Sequence, residues 1–198
     1  MRFLIIILLF PLLAESQIET NKFHIYGKFS MGKIDSALYN NVSFTGEYLF
    51  HKNVGLNYNL DFIHRNDNIF QFHTSMGSVA GPLLFVVLAT NTGVFNSNGS
   101  KFILAVMAAI LPDGVSIHIP YRFHWDFSPY INILGFDYVK NNNMNTRTLK
   151  YTSSFGFKTS YWLNNNFTFT SFIESRKTRT MGWGIGFGVG VGYTFKPR

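Results

Sequence analysis

The chain has 198 residues, of which 18% are aromatic and 14% are charged, and its formal net charge is +7. Soluble domains carry about 25% charged residues, so this composition disfavours an ordinary soluble fold of one domain's length. The absence of cysteine excludes disulfide cross-links and a lipid-modified N-terminal cysteine.

The N-terminus has the three regions of a secretory signal peptide. Arg2 supplies a positive charge, residues 3–13 form an apolar run, and an Ala-Glu-Ser sequence that suits signal peptidase follows. The run is shorter than the ~20 apolar residues of a membrane-spanning helix, although a buried N-terminal helix or an uncleaved anchor is the alternative. We expect residues 1–16 to be removed and residues 17–198 to form one exported domain. Export disfavours nucleic acid as a partner of this basic chain.

Four segments with alternating apolar and polar residues follow. A two-residue period places successive side chains on opposite faces of a strand. A tight turn from His51 to Asn53 separates the second segment from the third. The pattern predicts strands with one face in lipid and the other in a polar lumen, at residues 23–31, 42–50, 54–62 and 70–76.

An apolar stretch without alternation interrupts this series. Residues 81–95 and 102–111 are apolar runs, a turn at 96–100 separates them, and the alanines of the second run favour helix. We expect residues 77–112 to form an apolar helical hairpin inserted between the predicted strands, with a distorted pair of strands as the alternative. Because side chains fill the lumen of an eight-stranded barrel, a hairpin would have to lie against lipid or cover one end.

Alternation resumes after the insert, with two irregularities. Segments 115–123 and 149–161 alternate clearly, whereas 129–139 is apolar on both faces. Segment 167–174 begins with alternation and slips register at Ser171, which we interpret as a β-bulge.

The connections are of two kinds. Short turns occur at 51–53 and 163–166, and longer polar stretches at 33–41, 140–147 and 175–181. This division is typical of outer-membrane barrels, which have tight periplasmic turns and longer outer loops. We therefore expect both termini on the periplasmic side.

The last segment has the longest uninterrupted alternation. From Trp183 to Phe195 every odd position is apolar, and the even positions are glycine except Thr194. A helix would scatter these residues over all its faces, and glycines on one face weaken an isolated strand. We expect the glycine face to point into a narrow lumen, where larger side chains from other strands need the space.

These segments predict one all-β domain, an antiparallel transmembrane β-barrel of about eight strands, within a range of eight to ten. Outside 77–112 the alternation gives nine segments, whereas a barrel with both termini at one end needs an even number. The insert therefore contributes a strand, or one of the segments is not a separate strand. Closure of the sheet leaves no unpaired edge in lipid.

Two features resemble small bacterial outer-membrane β-barrel proteins of the eight-stranded kind. One is residues 45–56, which comprise an aromatic-ended strand, a short Lys-Asn turn and a Gly-Leu restart. The other is the last strand, in which Gly190, Tyr193 and Phe195 match the signal that this family presents to the barrel-assembly machinery. The chain continues for three residues after Phe195, where the family usually stops. The Asn- and Phe-rich composition also resembles that of Bacteroidota proteins.

The resemblance implies an integral outer-membrane protein with a structural, anchoring or complex-accessory role, without catalysis and in contact with outer-membrane lipid. Residues 77–112 exceed what barrel closure needs, so we expect them to bind a protein partner. A small pore or solute channel is the first alternative. A lipid hydrolase of the outer membrane is another, and a secreted lipid-binding barrel would need polar outer faces and an apolar lumen.

The candidate site residues fall into two groups. Five charged residues lie on the faces that alternation turns into the lumen, namely Lys28, Glu47, Asp61, Lys150 and Lys158. Buried charges must be paired or solvated, so we expect an internal salt-bridge network, with a narrow ion path as the alternative. Arg176, Lys177 and Arg179 lie in a predicted outer loop, where lipopolysaccharide phosphates would suit them, although an ordinary solvated loop is the alternative.

Three histidines, His24, His73 and His118, fall on predicted lumen faces. The sequence has no metal-binding spacing such as HxH or HExxH, so we expect ordinary hydrogen bonding, no metal and no cofactor. Ser75 and Ser116 each lie two residues from a histidine on the same face, a spacing that chance explains. No residue is therefore predicted to be catalytic, since hydrolysis needs a serine, a histidine and a carboxylate together.

Overall fold

The computed structural model describes five stretches of the chain, residues 22–75, 111–121, 124–164, 166–179 and 181–195. The predicted signal peptide and nearly all of 77–112 lie outside the described residues, so both remain predictions. Among the described residues no helix is long and apolar enough to cross a membrane.

Within these residues the chain forms ten strands, and all their pairings are antiparallel. In chain order they are β1 (Lys22–Ile34), β2 (Ala37–His51), β3 (Val54–Arg65), β4 (Ile69–Ser75), β5 (Gly114–Ile117), β6 (Ile119–Tyr121), β7 (Trp125–Asn141), β8 (Thr146–Trp162), β9 (Phe167–Thr178) and β10 (Gly182–Phe195).

Eight strand positions close the sheet into a barrel. β1 pairs with both β2 and β10, and the order continues from β10 through β9 and β8 to β7. The position between β7 and β3 is filled jointly by β4 and β5, which both pair with β3 and β7. The predicted all-β antiparallel barrel of about eight strands is confirmed. We call the end where β1 begins and β10 ends the terminal rim, and the opposite end the distal rim.

Two of the predicted segments share one place in the wall. β4 pairs Thr74 with Leu60 of β3, and β5 resumes at Gly114 opposite Asn57. Segments 70–76 and 115–123 therefore supply two parts of the same strand position. The nine predicted segments thus occupy eight places, which removes the conflict with an even strand number.

β7 has a bulge where it meets this interrupted strand. Its register with β8 shifts between Asn132 and Gly135, and the amides of Ile133 and Leu134 both donate to the carbonyl of Asp113, at 2.8 and 2.9 Å. One extra residue inverts the alternation of a strand. Even positions of β7 therefore face the lumen before the bulge and odd positions after it, which explains why this segment looked apolar on both faces.

The bulge predicted in β9 was wrong. β9 keeps continuous register with β8 and β10, and Phe172 is buried in the lumen while Ser171 faces outward. Nζ of Lys28 lies 5.0 Å from the centroid of the Phe172 ring. Opposite the ring, a Cβ atom on Gly188 would lie 2.6 Å from its Cζ. The apparent slip in the sequence is therefore an inward aromatic side chain accommodated by a glycine.

The other glycines of β10 also make room for large lumen residues, as predicted. A Cβ atom on Gly186 would lie 2.1 Å from the hydroxyl oxygen of Tyr39, and one on Gly192 would lie 2.6 Å from a ring carbon of Tyr26. Contacts below 3.0 Å require something to shift. Glycine at these positions therefore follows from the narrowness of the lumen.

Polar and apolar residues are distributed in the opposite way to those of a soluble protein. Among the described residues the buried set comprises ten hydrophobic residues and 31 polar or charged ones, so the interior is polar. The outward faces are apolar, and Ile185, Phe187 and Val189 of β10 are each 63% exposed. An apolar surface of this extent is unfavourable in water and is typical of a wall in contact with lipid.

The three longer outer loops predicted from the sequence are partly strand in the structure: seven of the nine residues 33–41, four of the eight residues 140–147, and four of the six described residues of 175–181 belong to strands. Asp35 and Ser36 alone join β1 to β2, and residues 142–145 join β7 to β8. Asp35 and Asn145 have positive φ angles of 53° and 50°, which Asp and Asn tolerate in tight turns. That prediction was wrong because polar residues at the rim of a barrel continue to pair along the strand.

Candidate functional site

Glu47 is the centre of a polar cluster in the lumen near the terminal rim. Its Oε2 accepts hydrogen bonds from Lys158 Nζ at 2.9 Å and from the Tyr26 hydroxyl at 3.1 Å. Its Oε1 accepts from the Ser116 hydroxyl and lies 3.1 Å from Nε2 of His118. The four partners come from β1, β8 and the segment at β5, and Glu47 is completely buried. Two of the five predicted lumen charges, Glu47 and Lys158, therefore meet as an ion pair.

Next to Glu47 the structure places a serine, a histidine and an aspartate in contact. Ser116 Oγ lies 3.3 Å from His118 Nε2, and His118 Nδ1 lies 2.7 Å from Asp126 Oδ2. Ser128 donates to the same Asp126 oxygen at 2.7 Å. This is the order of contacts in a nucleophile–base–acid triad.

Three features of this cluster oppose catalysis. Ser116 donates its proton to Glu47 and not to the histidine. Ser116, His118 and Asp126 are all buried in the lumen, away from the lipid that a membrane hydrolase would act on. The carboxylate of Glu47 would also repel the negative charge that develops on the substrate oxygen during acyl transfer. The arrangement is better described as a hydrogen-bonded ion cluster.

A second cluster lies farther towards the distal rim and is built on Arg176. Its guanidinium is paired with Asp61, and its Nε lies 3.4 Å from Glu174 Oε1. The Tyr130 hydroxyl donates to Glu174 Oε2 at 2.9 Å. Arg176 is only 4% exposed. The expectation that Arg176 reaches lipopolysaccharide from an outer loop was therefore wrong, because β9 extends through this residue and alternation turns its side chain inward.

His73 connects the interrupted strand to β7. Its Nδ1 lies 2.6 Å from Asp137 Oδ1, and its Nε2 lies 3.4 Å from Asp113 Oδ2. Asn59 donates to the same Asp113 oxygen at 2.6 Å, and Thr178 donates to Asp137 at 2.8 Å. The group ties β3, β4, β7 and β9 together across the lumen.

The remaining predicted lumen charges are less enclosed. Lys28 is half-buried beside Phe172, and its charge interacts with the carboxylates of Asp61 and Glu174. Lys150 is half-buried at the inward register position opposite Asp137. All five predicted residues are thus on the inner face, with Glu47 and Lys158 in one cluster, Lys28 and Asp61 in a second, and Lys150 beside Asp137 of the His73 group.

The three predicted lumen histidines do not converge. His24 Nδ1 lies 2.9 Å from the Thr194 hydroxyl, and its ring contacts Trp162 edge-on. His73 and His118 each lie between two carboxylates in different clusters. Within the described part of the chain, no group of three or more His, Asp and Glu side chains is arranged to hold a metal ion.

Apolar side chains lie at both ends of the polar interior. Leu49 and Trp162 pack together near the terminal rim, and Ile34, Tyr39 and Ile63 pack near the distal rim. Trp162 therefore faces the lumen rather than belonging to an interfacial aromatic belt. Between these two layers Ser128 and Asp137 have no exposed surface, whereas Lys28 is half-buried.

The residues of the predicted assembly signal lie on β10. Gly190 faces the lumen beside Lys28, whereas Tyr193 and Phe195 face outward with their ring centroids 4.9 Å apart. Phe195 is the register partner of Phe23 in β1. This places the aromatic pair on the outer wall at the seam where the first and last strands meet.

The sequence reasoning did not identify the other half of each ion pair. Five residues that were not predicted as lumen charges complete the clusters, namely Asp113, Asp126, Asp137, Glu174 and Arg176. Asp126 is two residues from Ser128 at an inward position, so an extended alternation could have found it. Asp137 could not be found in this way, because the bulge in β7 inverts the alternation before it.

No family model and no curated protein sequence matches the chain. Solved structures share its fold. The N-terminal β-barrel domain of Pseudomonas aeruginosa OprF is 12% identical, over 89% of this chain and 98% of that chain, with a TM-score of 0.57. The outer membrane protein OprG of the same organism is 10% identical over 92% and 100%, with a TM-score of 0.54. Neisserial surface protein A is 7% identical over 89% and 96%, with a TM-score of 0.51. The chain therefore has the fold of small outer-membrane β-barrel proteins.

Proposed function

We propose that the chain is an integral outer-membrane protein with a structural, anchoring or complex-accessory role and no open pore. The observation that carries this proposal is the closed wall, apolar outside and polar inside, around a lumen with an apolar layer at each end. A closed barrel satisfies its backbone hydrogen bonds in lipid. The fold of OprF, OprG and Neisserial surface protein A supports the same location.

The enclosed interior favours a structural role over a channel. A water-filled path would leave its lining side chains exposed, whereas Glu47 and Asp137 are completely buried and held in ion clusters. Eight strands also leave an interior that side chains can fill. The pore hypothesis therefore needs both apolar layers to move. The hydrolase hypothesis needs Ser116 to become accessible.

The partner assignments remain part of this proposal. Residues 77–112 connect β4 to β5, which share one strand position, and are proposed to bind a protein partner. Gly190, Tyr193 and Phe195 are proposed to be read by the barrel-assembly machinery, and residues 1–16 to direct export. The resemblance to Bacteroidota proteins is a prediction about the source of the chain.

Membrane fractionation of the full-length chain, followed by gels of boiled and unboiled samples, tests the location. Recovery with the outer membrane and a heat-dependent mobility shift are expected, because closed barrels resist unfolding by detergent. Planar-bilayer recording then tests the absence of a pore, and no steady conductance is expected. Soluble periplasmic protein without a heat shift would contradict the membrane proposal, and stable conductance would favour the channel.

A further inference from the structure

Five cations lie on the outward side of the barrel at the distal rim. Four of them lie in β7, β8, β9 and β1, and the fifth directly follows β9. Trp183 lies in β10, between β9 and β1 in the sheet. The opposite part of this rim, from β2 to β4, presents uncharged residues such as Leu38, Asn40 and Phe70 at its outward positions. We call the first set the basic arc, which consists of Lys140, Arg147, Lys177, Arg179 and Lys33.

Strand carboxylates do not share this surface. Within the part of the chain that the structure describes, every acidic residue in a strand is on the inner face, namely Glu47, Asp61, Asp126, Asp137 and Glu174. At the distal rim, Asp67 is engaged by Arg65 at 2.6 and 3.1 Å, and Asp35 lies in the β1–β2 turn. Among the described residues, no carboxylate forms an ion pair with a cation of the arc, although Asp35 lies in the turn next to Lys33.

One pair of cations in the arc is directly opposed across two strands, which is unfavourable unless an anion lies between the two charges. Lys140 of β7 and Arg147 of β8 are direct cross-strand partners on the outward face. Like charges directly opposite each other destabilise an antiparallel pair. A phosphate between them would turn this repulsion into charge-assisted hydrogen bonds, and Arg is well suited to hold phosphate through two donors.

Lys177 has the surroundings of a residue at a membrane surface. It is the cross-strand partner of Trp183, and its Nζ lies 5.2 Å from the centroid of the tryptophan ring. Both side chains are exposed. Tryptophan concentrates at the boundary between hydrocarbon and headgroups, so a cation beside it lies at the level of lipid phosphates.

We infer that the basic arc binds the phosphate groups of a phosphorylated outer-leaflet lipid, in the manner of a shallow clamp along β7, β8 and β9. This inference rests on the proposed membrane function, and it also fixes the orientation of the barrel, with the distal rim outward. The ligand is defined by its phosphates and its place in the leaflet. A lipid without phosphate offers no anion that Lys140 and Arg147 could bind together.

The test compares lipid A carrying two phosphates with dephosphorylated lipid A. The full-length protein is refolded in phosphatidylcholine vesicles, each lipid A is added, and bound lipid is measured after the protein is recovered in nanodiscs. The variant Lys140→Gln/Arg147→Gln removes both charges and keeps polar side chains. Lys52→Gln, in the β2–β3 turn at the terminal rim, is the matched control. Each cation near an anionic lipid surface contributes about fivefold to binding, so the double variant should bind about 25-fold more weakly.

The outcomes separate this inference from the proposed function. Preference for the phosphorylated lipid, lost in the double variant and kept in Lys52→Gln, supports the clamp. Inserted, heat-modifiable protein without that preference overturns the clamp and leaves the barrel proposal intact. A fivefold loss in the control also overturns it, because one charge at any place on the barrel would then contribute as much as each charge of the arc. Failure of the wild-type chain to insert contradicts the proposed function itself.

Discussion

The replacement Glu47→Gln tests whether the lumen is held together by its ion clusters. Glu47 accepts contacts from Lys158, Tyr26 and Ser116, with His118 at 3.1 Å. A glutamine keeps the shape of the side chain but offers one carbonyl oxygen and one amino group. Whichever way the glutamine amide is turned, its amino group would take the place of one carboxylate oxygen. At least one of the buried donors that now bind Glu47 would therefore lose its acceptor.

The expected cost follows from burial. Removing one partner of a buried ion pair leaves the other charge uncompensated, which costs about 3–5 kcal/mol. This is a large part of the 5–15 kcal/mol that stabilises a typical protein. Replacing both charges with Glu47→Gln/Lys158→Met should recover much of the loss, because no unpaired ammonium remains. We expect a coupling free energy of about 1–3 kcal/mol between the two positions.

Urea unfolding in lipid vesicles, followed by tryptophan fluorescence, gives the free energy of unfolding. Asp35→Asn is the matched control, since it removes one carboxylate from an exposed turn residue and should change stability by less than about 0.5 kcal/mol. If Glu47→Gln were as stable as this control, Lys158 would have to be solvated in the lumen. The interior would then be hydrated, which would contradict the conclusion that the lumen is closed to water.

Three further predictions follow from the packing of the wall and its ends. Gly186→Ala should destabilise the barrel by about 1–3 kcal/mol, because the added Cβ would clash with the Tyr39 hydroxyl, and adding Tyr39→Phe should restore part of the loss. Gly27→Ala is the control and should have little effect, since its Cβ would lie 4.0 Å from the nearest neighbour. The same urea assay measures both, and equal effects of the two alanines would contradict the prediction. Leu49→Ala/Ile63→Ala should raise conductance in planar bilayers more than either single change, because each apolar layer closes one end; full conductance from one change would show that only one layer seals. Deletion of 80–111 should leave a heat-modifiable barrel that no longer co-purifies with its partner, and failure to insert would show that the segment belongs to the wall.

The alternation of the sequence predicted most of the barrel because each strand lies between two different solvents. Along the strands most apolar residues face outward and most polar residues face the lumen, so both faces enforce a two-residue period. The same constraint placed Lys28, Glu47, Asp61, Lys150 and Lys158 on the inner face. Which side chains face the lumen could therefore be predicted without knowledge of the strand topology.

Pairing across the lumen could not be predicted in this way. Which charges meet depends on how strands on opposite sides of the barrel are staggered, and local alternation contains no information on that stagger. Arg176 illustrates the limit, because it was grouped with Lys177 and Arg179 by sequence proximity. In the structure its neighbour Lys177 points outward, while Arg176 crosses the interior to Asp61.

The strand position that β4 and β5 share is interrupted in the chain between Ser75 and Gly114. Unsatisfied backbone groups cost several kcal/mol each in hydrocarbon, so the wall must close where the chain leaves it. Asp113 achieves this closure. Its amide donates to the Asn57 carbonyl at 2.7 Å, its carbonyl accepts from Ile133 and Leu134 of β7, and its side chain contacts His73.

Asp113 thus forms backbone hydrogen bonds with both neighbouring strands, β3 and β7. Thr74 and Gly114 face residues only three positions apart on β3, Leu60 and Asn57, which is about 10 Å of strand. A short linker therefore spans the gap that the natural chain crosses with the whole insert. Selection on barrel stability alone would not require so long a segment, and this is the physical ground for the proposal that it binds a partner.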